Sequence, residues 1–167
     1  MSTQYANIYV MADEEQLSEK ELAAWRSFVT MHHRLERHLA GQLQRECGLS
    51  GSDFEVLVNL SEAPDGRMRA FELGQATQWE KSRLSHHLSR MEKRGLVRRE
   101  VAARSNARYP DVVLTRAGRD AIESSAPVNA ARVRKLFIDV LGPQRLAMLR
   151  KACDDVLVAI ESATSSR

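Results

Sequence analysis

Between Leu22 and Leu43 apolar residues recur at intervals of three and four: Leu22, Trp25, Phe28, Val29, Leu35, Leu39 and Leu43, with His32 in the same register. That period places them on one stripe of a helix. Ser18 followed by Glu21 supplies a capping-box start and Cys47-Gly48 a glycine stop, so the spacing predicts one uninterrupted helix of about 30 residues. A helix that long carries more apolar stripe than one small domain usually buries. Part of it is expected to meet another helix or a second subunit. Residues 1–17, which precede it, show no sustained period and read as an N-terminal arm.

The helical period continues beyond Gly48 in shorter pieces. Ser50 with Asp53, or Ser52 with Glu55, opens a second helix whose Phe54, Leu57, Val58 and Leu60 face inward, and Ala63-Pro64-Asp65-Gly66 stops it. A short helix follows over residues 70–76 with Phe71 and Leu73 apolar. Thr77-Gln78-Trp79-Glu80 reads as another capping box, opening a helix that turns Leu84, Leu88 and Met91 inward and ends at Gly95. There the period changes. Residues 96–101 and 109–114 read as two short strands around a basic tip, with Pro110 expected at a strand entrance because it cannot donate to a ladder. Thr115 caps a further helix, which Pro127 restarts or kinks; Gly142-Pro143 breaks the chain; and the last helix carries Leu146, Leu149, Cys153, Val156, Leu157 and Ile160 on one face.

Composition limits the class. A chain of 167 residues with 43% hydrophobic and 28% charged residues is ordinary globular protein, long enough to fold without disulfide or metal staples. Two cysteines, Cys47 and Cys153, and no apolar run near the roughly 20 residues that span a bilayer give the expectation of a soluble cytoplasmic protein without a leader segment. The net charge of +3 hides an asymmetry. Residues 66–108 hold eleven basic side chains against four acidic ones, a local charge of +7, so the remainder carries −4. A basic middle between acidic flanks points to a polyanion partner.

Short helix, tight turn, second helix, Gly-Leu-Val, basic hairpin and Leu-Thr opening a new helix is the order of a winged helix-turn-helix, and the residues filling it resemble the MarR family of bacterial transcriptional regulators. The matching pieces are Leu49-Ser50 with Phe54, Leu57 and Leu60; Leu73-Gly74; the run from Ser82 to Val97; and Val112-Val113-Leu114-Thr115 leading to Gly118. The resemblance covers about residues 18–162. The resemblance implies a mostly α fold with a small β-hairpin wing and an intertwined homodimer. Residues 18–48 would form the first dimerisation helix, 49–115 the DNA-binding lobe and 116–167 the C-terminal dimerisation helices. It also implies a double-stranded, pseudo-palindromic operator, repression of its own or adjacent genes, and relief by a small ligand, with an aromatic effector as the candidate. The family's wing carries Asp-x-Arg, where this chain has Asn106-Ala107-Arg108: the arginine is kept and the acid is not.

With Leu84, Leu88 and Met91 inward, the outward positions of the recognition helix are Lys81, Ser82, Arg83, Ser85, His86, Ser89 and Arg90. Ser82 and Ser85 suit phosphate or close base contacts, Arg83 and His86 base edges, and Arg90 a phosphate. Arg104 and Arg108 fall at the wing tip, where guanidinium groups enter a minor groove, and Arg67 and Arg69 precede the short helix as further phosphate ligands. Trp25, Phe28 and His32 on the first helix, beside His33 and Arg34, and Trp79 mix aromatic and polar groups as effector pockets do.

Other classes fit less well. Gly48-Leu49-Ser50-Gly51 lacks the preceding strand of a nucleophile elbow, and the five histidines form no H-E-x-x-H motif, so no enzyme, metal or cofactor is expected. A thiol-based redox sensor needs an activated cysteine. Cys47 lies at a helix C-terminus, whose dipole disfavours thiolate, and Cys153 lies within an apolar stripe; both are expected to be inert core residues. A helical protein-binding adaptor would account for the stripes but not for the +7 segment.

Overall fold

The computed structural model describes residues 17–100 and 110–165. They fall into two compact units that divide between His38 and Leu39, with the first helix, α1 (Glu19–Cys47), contributing to both. In the first unit the predicted capping box is formed: the Ser18 backbone N–H donates to Glu21 Oε2 at 2.7 Å, and the Glu21 N–H to Ser18 Oγ at 3.3 Å. Trp25, Phe28 and Met31 remain exposed along this part of α1.

The second unit begins with the end of α1, where Leu43 is buried and Gly48 reverses the chain at φ +66°. It continues with α2 (Gly51–Glu62), a 3-10 turn (Pro64–Gly66), β1 (Arg67–Arg69), α3 (Ala70–Thr77), α4 (Lys81–Lys93), β2 (Val97–Glu100), β3 (Asp111–Leu114), α5 (Arg116–Val133), a π-helical turn (Arg134–Ile138) and α6 (Asp139–Ser165). Leu49, Val56, Leu57, Leu60, Leu73, Leu84, Leu88, Met91, Val97, Val112 and Ile122 make one core, which Phe54 and Val58 join from its edge. β3 is the central strand. It pairs antiparallel with β2 (Val97 opposite Leu114) and with β1 (Arg67 opposite Val113). All four of its residues are buried, and Pro110 stands at its entrance, where no ladder hydrogen bond is lost.

Several expectations change. β1 was not expected: Arg67-Met68-Arg69 is too short and too basic to show a strand period, and it becomes a strand because Gly66, at φ +65°, turns the chain onto β3. Thr77-Gln78-Trp79-Glu80 is not a capping box. Thr77 is the last residue of α3 and its Oγ1 donates back to the Leu73 carbonyl at 2.8 Å; Gln78 takes the left-handed conformation; and Glu80 is an N-cap without a side-chain bond. These four residues are the turn of the helix-turn-helix, and burial of the Trp79 ring sets its path. α5 is not restarted at Pro127 but continues through it, and the missing N–H leaves the Glu123 carbonyl without its helical donor. Gly142, at φ +69° and ψ 170°, does interrupt α6 before Pro143. Cys153 lies exposed on α6 rather than in a core of this chain, because the face that carries it is solvent-exposed here.

Where the alternatives were open, Ser50 and Asp53 cap α2. The Ser50 N–H donates to Asp53 Oδ2 at 2.9 Å and the Asp53 N–H to Ser50 Oγ at 3.0 Å. Asp53 is 3% exposed and also accepts from Arg94 Nη1 at 2.7 Å, while Arg94 Nη2 donates to the Gly48 carbonyl at 2.8 Å. The start of α2 and the end of α4 are thereby tied together. Burial pushes the Asp53 carboxyl up, but hydrogen bonds from Arg94 and Ser50 outweigh it and hold the group below its ordinary value.

At the other end of the sheet, Thr115 caps α5: its Oγ1 accepts from the Gly118 N–H at 3.0 Å and donates to the Gly95 carbonyl at 2.6 Å. α5 lies so close to the chain after α4 that a Cβ on Gly118 would stand 2.1 Å from the Leu96 carbonyl oxygen.

Two outcomes follow from these contacts. Gly118→Ala lowers stability by about 2 kcal/mol, because overpacking against backbone exceeds the gain of about 1 kcal/mol in helix propensity; a thermal midpoint at or above that of the wild type would contradict the close approach. Asp53→Asn costs about 2–3 kcal/mol at neutral pH through the lost charged hydrogen bond and weakened cap. Because the folded-state pKa of Asp53 is depressed, its contribution is present above the ordinary carboxylate value and is lost as pH falls through the lower folded value. Urea unfolding at pH 7 and pH 3 should show the gap between wild type and variant closing in acid.

Candidate nucleic-acid interface

α4 has one buried and one open side. Leu84, His87, Leu88 and Met91 are buried, whereas Lys81, Ser82, Arg83, Ser85, His86 and Arg90 are exposed and Ser89 is half-buried. Every outward position named from the sequence therefore lies away from the core, Ser89 partly so, with its Oγ donating to the Ser85 carbonyl at 3.0 Å. The exposed face carries no acidic residue in its first turn, so the positive end of the helix and its cations act together on an approaching anion.

Two of these cations are already held. The Arg83 guanidinium carbon lies 4.3 Å from the centroid of the Trp79 ring. Arg90 Nη2 lies 3.0 Å from His87 Nδ1. A guanidinium has only donors, so Nδ1 must accept and the ring proton sits on Nε2. That nitrogen approaches Asp53 Oδ1 at 3.1 Å, close but poorly aligned for a hydrogen bond. Burial lowers the His87 pKa below its ordinary value; Arg90 and Arg83 lower it further, and the Asp53 carboxylate offsets this only in part.

The wing is fastened to α4 by Arg99 of β2. Its Nη1 donates to Glu92 Oε2 at 2.8 Å and its Nη2 to the Ser85 carbonyl at 3.1 Å and Ser89 Oγ at 3.2 Å. Arg67 is occupied too: its Nη2 pairs with Glu100 Oε2 at 2.6 Å and its Nη1 with Asp111 Oδ2 at 3.3 Å, stitching β1, β2 and β3 across the sheet. Glu100 also takes Arg98 Nε at 2.5 Å, the main reason its carboxyl titrates below the usual range. Arg69, at the start of α3, is exposed, and its backbone N–H donates to Glu72 at 3.0 Å. Arg104, Asn106 and Arg108 lie outside the described residues.

Neither Arg99 nor His87 was singled out from the sequence. Their signals were present: Glu92 and Arg99 flank the helix-ending Gly95, and His87 falls on the Leu84-Leu88-Met91 stripe. Between α3, α4 and the wing opens a groove of about 940 Å³, walled by Phe71, Trp79, Leu84, Leu88, Arg99 and Pro110, with Phe71 72% exposed. Trp25, Phe28 and His32 form a separate ladder on α1, with ring centroids 5.8 and 6.1 Å apart. Among the described residues no group of His, Cys, Asp and Glu is placed to hold a metal ion, and no helix is long and apolar enough to cross a membrane.

The comparisons agree with this geometry. Residues 48–108 match the sequence profile of the MarR family. AbsC, a MarR family transcriptional regulator from Streptomyces coelicolor, is 40% identical, with 87% of this chain and 97% of AbsC aligned at a TM-score of 0.82. Sco3205 from the same organism, solved in complex with DNA, is 34% identical over 86% of this chain and 93% of its own, at a TM-score of 0.81. A mutant MarR from E. coli, complexed with operator DNA, shares the fold at 21% identity and a TM-score of 0.73, over 85% of this chain and 99% of its own. No curated protein matches. With two structural relatives above 30% identity aligned over nearly their whole length, and a helix-turn-helix followed by a wing, the chain belongs to the MarR family of transcriptional regulators.

Proposed function

We propose that this regulator binds a pseudo-palindromic, double-stranded operator as a homodimer and represses its own or adjacent genes until a small ligand relieves it. The observation that carries the DNA reading is the exposed face of α4, where Ser82, Arg83, Ser85, His86 and Arg90 stand on a helix whose first turn is free of acid. Small hydroxyls let the helix approach the major groove closely, and Arg83 and His86 reach base edges. Arg90 and Arg69 serve phosphates, and the wing arginines Arg104 and Arg108 serve the minor groove. Arg67, held by Glu100 and Asp111, supports the sheet instead of reaching a phosphate.

Dimerisation is supported by the apolar residues that the single chain leaves open: Trp25, Phe28 and Met31 on α1, and Val156, Leu157, Val158 and Ile160 on α6. Exposed apolar surface of this kind is what a second copy removes from water. Two copies would present two recognition helices at half-sites about one helical turn, 34–36 Å, apart. For the ligand, the groove beside Trp79 and the aromatic ladder on α1 are the two candidate sites. A fold relative with 18% identity, RdhR-CbdbA1625, is an organohalide-sensing regulator solved in a 2,4-dichlorophenol-bound form, which favours an aromatic effector here. Cys153 is exposed on α6, and a thiol-based redox trigger is the alternative to the ligand.

Footprinting on the promoter of its own gene tests the DNA reading. If the dimer neutralises six to ten phosphates, affinity falls roughly 10³- to 10⁵-fold between 50 and 200 mM salt, and a flat salt response or the absence of a footprint overturns it. Arg83→Ala should narrow the gap between operator and scrambled DNA, whereas Arg108→Ala should weaken both alike. For the dimer, Leu157→Glu places charge in the proposed interface; sedimentation should then show monomer at concentrations where the wild type is dimeric, and an unchanged dimer would remove α6 from the interface.

A further inference from the structure

Two of the long side chains on the DNA-facing side of α4, Arg83 and Arg90, rest on a shared support. Trp79, 9% exposed, precedes the helix; His87, 6% exposed, lies two turns into it; and their rings meet edge to face at a centroid distance of 5.2 Å and an angle of 89°. The exposed Arg83 lies over the Trp79 face, and the exposed Arg90 donates to His87 Nδ1. A core tryptophan needs no arginine stacked on it, and a buried histidine needs no guanidinium as its donor. Both contacts run from an immobile ring to a mobile cation.

We propose that Trp79 and His87 form a platform that presets the directions of Arg83 and Arg90, making Trp79 a positioning residue for base reading and the unprotonated His87 Nδ1 a positioning acceptor for Arg90. The inference rests on the DNA reading above. An unheld arginine must give up rotamer freedom when it meets a base edge; an arginine already stacked has given up most of it before binding. A contact of cation–π strength biases the side chain about threefold to fivefold toward its held direction. The gain falls on sequence discrimination, since any flexible cation near the backbone satisfies a phosphate.

The same arrangement carries a proton dependence. The charged groups around His87 are Asp53 of α2, itself tied to Arg94, and Arg83 and Arg90 of α4. A proton on Nδ1 removes the acceptor that holds Arg90 and adds a like charge beside both arginines. General electrostatics would make acid strengthen binding to every DNA; loss of the platform instead lowers the preference for operator over scrambled duplex.

The experiment has two arms. In DNA-free protein, NMR should find the Arg83 side-chain resonances shifted by the Trp79 ring current, with the shift largely retained in Trp79→Phe and lost in Trp79→Leu; unshifted Arg83 resonances in the wild type overturn the platform. In the second arm, affinities for the footprinted operator and a scrambled duplex of equal composition are compared. Trp79→Leu should lower their ratio about threefold to fivefold with non-specific affinity and salt slope unchanged, Trp79→Phe should keep the ratio, and Trp79→Leu should cost nothing further on an Arg83→Ala background. On a His86→Gln background, lowering the pH through the depressed His87 value should lower the ratio, and adding His87→Gln should abolish that fall. Parallel loss of both affinities, additive losses, or a pH response retained in the His86→Gln, His87→Gln double variant would assign these residues to core packing alone and overturn the inference. Were no DNA sequence preferred by the wild type, the DNA reading would fall by that result, while the NMR arm would still decide whether the platform exists.

Discussion

The orientation of the recognition helix depends on the buried Asp53 carboxylate, which caps α2 through Ser50, accepts Arg94 from the end of α4 and faces His87 in the middle of α4. A carboxylate in an apolar environment is costly unless its lone pairs are met by donors. The requirement works as an orienting constraint: α2 and α4 must meet at the angle that brings Ser50, Arg94 and Asp53 together. Leu84, Leu88 and Met91 supply the adhesion of α4 to the core, but apolar packing alone tolerates small rotations. The ionic contacts remove that freedom, and the outward direction of Ser82, Arg83, Ser85 and His86 follows.

The basic segment divides by role under the same logic. Arg94 serves Asp53, Arg99 serves Glu92 and two backbone or hydroxyl oxygens of α4, and Arg67 and Arg98 serve Glu100. These arginines hold wing, sheet and recognition helix in one arrangement. Arg69, Arg83, Arg90 and Lys93 remain exposed for an anion. The local charge of +7 is thus partly structural, and among the described residues the part that faces outward lies on α4 and at Arg69, the last residue of β1. Arg99 bonds both Ser85 and Ser89, so β2 and the exposed side of α4 are joined by direct hydrogen bonds.

Much of this architecture was legible in the residues. The three- and four-residue periods located the helices, Ser18-Glu21, Ser50-Asp53 and Thr115 marked caps that form, and Gly48, Gly95 and Gly142 marked reversals that occur. Those signals are local, and local chemistry decides them. The misreadings arose where a distant contact overrides a local preference. Thr77 has the right spacing to Glu80 for a cap, yet burial of Trp79 makes the segment a turn. Arg67-Met68-Arg69 has no strand propensity to speak of, yet it pairs with β3 because its neighbour was brought there.

The sequence by itself determined which residues of α4 face away from the core, since a helix period and three apolar anchors leave no choice, and it determined the basic character of that face. Tertiary structure alone decided which arginines are available. Arg67 and Arg69 are equivalent in sequence, but one lies between Glu100 and Asp111, acids 33 and 44 residues away, and the other lies open. It likewise decided that Trp79, readable as a ligand-pocket aromatic, stands under Arg83 and against His87. Ion pairs such as those of Arg67 join residues far apart in the chain and depend on the fold as a whole, so no window of sequence contains them.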